Sequence, residues 1–124
     1  MKVTLTLPPR DLSPNRRIHW GARSRAVKAH RGEAFLMTRK AMSGVDKGGH
    51  WWAKAGSDIL IMPTFFYRVK RRRDRDNAQA SLKAALDGIA EALGVDDSRF
   101  IMAPATLLVD ATDPRVEVVL RQSK

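Results

Sequence analysis

Between Arg71 and Asn77 the chain reads Arg-Arg-Arg-Asp-Arg-Asp-Asn, which places two carboxylates, Asp74 and Asp76, inside a run of arginines. Carboxylates repel a polyanion and arginines attract one. Together they describe either a surface that neutralises itself or a divalent cation held against a phosphodiester. In extended geometry Asp74 and Asp76 project to the same side. With a third carboxylate they would leave water and phosphate positions open on an octahedral ion such as magnesium. The plainer reading is that these acids cap a helix and favour its dipole. A cap needs only one acid, yet this segment adds Asn77, Lys83, Asp87 and a second acidic pair, Asp96-Asp97.

The elements that must position these residues follow from periodicity. Val3, Leu5 and Leu7 alternate with Lys2, Thr4 and Thr6, a strand over 2–7 and not a signal peptide. It stops at Pro8-Pro9 and passes into a polar loop through Ser13-Pro14-Asn15-Arg16-Arg17. From about Ala22 to Met42 apolar residues recur at helical spacing among Arg23, Arg25, Lys28, Arg31, Arg39 and Lys40. Ser43-Gly44 and Gly48-Gly49 punctuate a connection to a β-rich run from Ile59 to Val69, in which Pro63 suggests an edge or a bulge. A second helix is expected from Asp74 or Asp76 to about Leu93, ended by Gly94 in a left-handed conformation. On it Leu82, Leu86, Ile89 and Leu93 make the core stripe, and Asp76, Lys83 and Asp87 a second stripe at its margin. Phe100–Val109 and Arg115–Leu120 suit an antiparallel hairpin turning near Asp113-Pro114. The order β-α-β-α-β-β predicts an α+β fold, a small mixed sheet with two helices packed on one face, as one domain over 1–124.

Composition narrows the partner. The 124 residues carry 23 Lys and Arg against 13 Asp and Glu, a formal charge of +10 that favours nucleic acid. No segment pairs a strong apolar face with a basic one, and no apolar run approaches ~20 residues, so a soluble cytoplasmic protein without membrane contact is expected. Without cysteine there is no thiolate site, so a bound metal would be a hard cation such as magnesium or manganese. Aromatic residues are only 6% of a short chain, and association with a second copy would supplement a modest core.

Arg73-Asp74-Arg75-Asp76-Asn77, then Leu82-Lys83-x-x-Leu86-Asp87-Gly88, then Leu93-Gly94-Val95-Asp96-Asp97-Ser98, resembles the RusA family of Holliday junction resolvases of bacteria and their prophages. Pro8-Pro9 and Ser13-Pro14-Asn15-Arg16 are similar to that family's N-terminal loop. The resemblance implies a magnesium-dependent homodimeric endonuclease of recombination and repair that leaves a 3′-hydroxyl and a 5′-phosphate. It also implies Asp74, Asp76, Lys83 and Asp97 as catalytic residues, the three acids among them holding metal. The best-known members place the lysine four residues after the second Asp, whereas Lys83 follows Asp76 by seven. The extra turn amounts to about 4–5 Å of axial shift, and an ion pair with Asp87 is the plainer role for Lys83. DNA contact falls to Asn15, Arg16, Arg17, Arg68, Lys70, Arg71, Arg72, Arg73, Arg75 and Asn77. His50-Trp51-Trp52 could stack on opened bases, with burial the favoured reading.

A continuous helix from Asp76 to Leu93 would be roughly 25 Å long, too far for Asp97 to return to Asp76. That length predicts a site shared across a dimer. The alternative function is a branched-DNA-binding protein on the same fold without catalysis.

Overall fold

The computed structural model describes residues 1–13, 19–45 and 47–123. Strand β1 spans Lys2–Leu5, β2 Ile59–Tyr67, β3 Phe100–Met102, β4 Thr106–Val109 and β5 Arg115–Gln122. Helix α1 spans Trp20–Ser43, α2 Arg75–Ala80 and α3 Lys83–Leu93. Among the described residues the result is a mixed α+β fold with three helices where two were expected.

β2 is the centre of the sheet. It pairs antiparallel with β5, which pairs antiparallel with β1, and on its other side it runs parallel first to β3 and then to β4. Its alternate residues Ile59, Ile61, Pro63 and Phe65 are buried, as period-two geometry requires of a strand with one face on the core. Pro63 is therefore in the central strand and not at an edge. The Ile61 and Tyr67 carbonyls accept from Ala103 and Asp110, so the odd residues of β2 direct their backbone groups toward β3 and β4. The donor that Pro63 lacks falls on that side, opposite the gap between β3 and β4, where no ladder bond is lost.

The expected hairpin does not form, because β4 and β5 flank β2 on opposite sides. The link between them passes around the end of β2. Asp110 organises it, accepting from Thr112 N and Asp113 N at 3.1 Å each and from Arg115 Nη1 at 2.8 Å.

Parallel strands need a crossover, and α2 and α3 supply the one from β2 to β3. The single helix expected there is interrupted. Ser81 Oγ donates to the Ala78 carbonyl at 2.6 Å and Leu82 N bonds Gln79 O, a tightened turn that separates α2 from α3. Gly94 ends α3 with φ 71°, the left-handed cap that its position predicts. Gly88 lets α1 cross α3 backbone to backbone, since an added Cβ would overlap the Arg31 carbonyl oxygen. Leu82 and Ile89 join Val3, Ile59, Ile61, Phe65 and Leu120 in the core. Trp52 lies there too, 1% exposed with His50 stacked on it at 4.5 Å, so it is buried and does not stack on bases.

Candidate functional site

The chain enters α2 through Asp74, which is still extended at φ −93° and ψ 118°. Its carboxylate accepts from Asp76 N at 2.9 Å and Asn77 N at 3.3 Å, so Asp74 is the helix cap. Arg75 is already helical, and this separates two acids that an extended chain would hold on one side. Asp76 faces a cleft of about 540 Å³ shared with Gln79, Lys83, Asp87 and Asp97, with Leu86, Phe100 and Met102 as its apolar part. Asp74 instead lines a smaller recess of about 310 Å³ with Arg10, Arg72, Arg73 and Asn77. The expectation that Asp74 and Asp76 point the same way is thus corrected.

The expectation of a site completed by a second chain rested on reach, and within one chain Asp97 already shares a cleft with Asp76 while Asp74 does not. The break at Ser81-Leu82 replaces the straight rod on which that reach was reckoned. Lys83 lies on the same cleft. As the first residue of α3, its Nζ stands 3.6 Å from Asp87 and 3.9 Å from Asp97. The Lys83 side chain is 77% exposed, so these pairs add little stability. What they establish is placement.

Neighbouring groups hold the cleft's walls. Gln79 accepts from Ala105 N, tying α2 to the link between β3 and β4. Asp96 caps the turn at 97–99 by accepting from Ser98 N at 2.8 Å, a bond that holds its carboxyl below the usual carboxylate range. Arg99 anchors that turn by donating to the carbonyls of Ser57 and Lys54. Asp97 is left to face Lys83.

Of the proposed DNA contacts, Arg68, Lys70, Arg71, Arg72 and Arg75 are exposed. Arg73 is half-buried, its guanidinium 3.6 Å above the Tyr67 ring. Burial pushes the Tyr67 hydroxyl pKa up, and the Arg73 charge opposes the shift. Asn77 lies on the Asp74 side of α2. Asn15, Arg16 and Arg17 fall outside the described residues. Sequence reasoning passed over Asp87 as a site residue, and its i,i+4 spacing from Lys83 was the available signal. It also passed over Gln79, whose role depends on a contact far away in sequence.

Among the described residues no three His, Asp or Glu side chains are gathered closely enough to hold a metal. The cleft does offer carboxylate oxygens from Asp76, Asp87 and Asp97, the donor type that hard divalent cations take.

No family model matches the chain. It is similar to an uncharacterized protein of Xylella fastidiosa (strain Temecula1), 43% identical over 103 residues. That stretch is 82% of this chain and 63% of the relative, so the chain spans less than two thirds of the relative's length. Among the described residues no helix is long and apolar enough to cross a membrane.

Proposed function

We propose that this protein is a divalent-metal-dependent, structure-selective DNA endonuclease of the RusA type that resolves four-way junctions in the cytoplasm. The observation that supports it is the convergence of Asp76, Lys83, Asp87 and Asp97 on one cleft beside the Lys70–Arg75 segment. Asp76, Asp97 and Asp87 would hold magnesium or manganese, and Asp74 would act by fixing the start of α2. The chemistry such a cation supplies is polarisation of the phosphate and activation of water. Lys83 offsets the charge that develops on the phosphate or the leaving oxygen. The exposed arginines hold the flanking phosphates and set the orientation of the strand.

A homodimer suits paired cuts, because a two-fold axis presents identical sites to opposed strands. The sheet supports it with a second face, where the register aligns Leu60, Met62, Phe66, Ile101 and Val119 away from the core. Ile101 is 43% exposed there.

Incubation of the protein with a synthetic four-way junction and magnesium, beside an Asp76→Asn variant, tests the reading. Paired nicks from the wild type and none from the variant are expected. Tight junction binding by both with cleavage by neither would favour the alternative, a branched-DNA-binding protein without catalysis. One observation favours that alternative: Asp74 is occupied as a cap and the remaining acids are not drawn together.

A further inference from the structure

A second concavity lies where β2 leads into the arginine run. Val69, Leu108 and Val109 are 45%, 45% and 49% exposed, and with Leu107 they form the apolar side of a cleft of about 520 Å³. Its other side is Lys70 to Arg73, and no carboxylate lines it among the described residues. Aliphatic surface beside four consecutive cations is poorly served by water alone, which wets the charges but leaves the apolar area exposed. The ligand that satisfies both sides is flat and weakly polar in one part and anionic a few ångströms away. An unstacked nucleotide has that form.

Two further observations fit the base. The Arg73 guanidinium carbon lies 3.6 Å over the Tyr67 ring, and bases stack readily on guanidinium and aromatic planes. β4 is an edge strand. Asp110 N bonds back to Tyr67 on β2, so alternation turns the backbone N–H and C=O of Leu107 and Val109 toward the open edge, where base edges can pair with them.

We propose that this cleft takes one unpaired nucleobase of a branched DNA strand, with Lys70 to Arg73 on the adjoining phosphates. The proposal rests on the DNA reading above and adds the source of selectivity for branched over linear DNA. In a continuous duplex every base is stacked, whereas at a branch or bulge a base is displaced at little cost.

The test is fluorescence anisotropy without divalent metal, using a matched duplex and the same duplex with one extra unpaired thymine. Wild type is expected to bind the bulged probe about tenfold more tightly, the scale of one stacked base. Val69→Ser and Val109→Ser, each at a position about half exposed and each checked by its melting temperature, should bring bulged-probe affinity down to that of the matched duplex. They should leave the matched-duplex affinity unchanged. Equal wild-type affinity for the two probes, or a preference that survives both substitutions, overturns the proposal and leaves the DNA reading standing. Wild type that binds neither probe overturns the proposal, and failure to bind a four-way junction run alongside overturns the DNA reading as well.

Discussion

At Gly88 helix propensity and packing geometry pull in opposite directions. Propensity says that alanine should stabilise α3 by about 0.8–1.0 kcal/mol. Geometry says otherwise, because an added Cβ would overlap the Arg31 carbonyl oxygen and stand 3.1 Å from the Phe35 nitrogen. Both are backbone atoms inside the 24-residue α1, so no side chain can rotate aside and the helices must separate. Overpacking of this kind costs about 1–3 kcal/mol, and sometimes more. Separation would also loosen Ala34, Ala85 and Ile89, all at 0% exposure. Set against the propensity gain, the net loss for Gly88→Ala is about 1 kcal/mol, or roughly 3–5 °C in Tm for a chain of this size. Gly32→Ala is the control, since Gly32 lies within α1 with nothing within 4 Å of the added atom. There the propensity term acts unopposed and about 0.5–1 kcal/mol of stabilisation is expected. Circular-dichroism melts and urea midpoints at constant m-value measure both. A Gly88→Ala Tm at or above wild type, or two glycine variants that shift in the same direction, would refute the reasoning.

Three further outcomes are expected. Asp74→Ala should lower stability by about 1 kcal/mol through loss of the α2 cap, whereas Asp74→Asn keeps an accepting oxygen and should melt within a degree or two of wild type; equal losses would show that the charge matters and the cap does not. His30 is buried, with Nε2 unpartnered, and burial lowers its pKa against the opposing pull of Glu33. Its folded pKa thus lies below the unfolded one, so the stability it contributes is present above about pH 6.5 and is lost as pH falls below it. Urea midpoints should decline from pH 7.5 to 5.5 and His30→Leu should decline less, while parallel declines would remove His30 as the cause. Lys83→Met should cut single-turnover junction cleavage by about 10²–10³-fold with junction affinity nearly kept, and unchanged cleavage would return Lys83 to the role of an ion-pair partner.

The local part of the fold was legible because local physics sets it. Alternation marked β1 and a β-rich run marked β2, and of the stripe Leu82, Leu86, Ile89 and Leu93 all but the half-buried Leu86 are buried. Gly94 takes the left-handed cap, since few other residues adopt that conformation without strain. What escaped was non-local. Phe100–Val109 has the alternation of a hairpin arm, but pairing is chosen by which edge is open, and β2 accepts β5 on one side and β3 and β4 on the other. Pro63 looked like an edge signal because its missing donor matters only if a partner residue faces it, and a gap does instead. The break after Ala80 left no mark on the 3.6-residue period, since Ser81 and Leu82 keep nearly helical backbone angles. A serine beside an apolar residue was its only trace.

That break bears most on the chemistry. The acids, the lysine and the arginines were all visible in the sequence, but their grouping was not, because it depends on where one helix stops and the next starts. With a straight helix, Asp97 would need a second chain to meet Asp76. With the helix interrupted, one cleft is lined by three carboxylates, two of them within 4 Å of the Lys83 ammonium, while the arginines of 71–73 line other recesses. The cleft is therefore locally negative within a chain of charge +10. Under the proposed function such a hole would repel phosphate when empty and accept it once a divalent cation is held there, whereas the surrounding arginines would draw DNA in either state. On that proposal, binding and cutting would be separable functions of different residues.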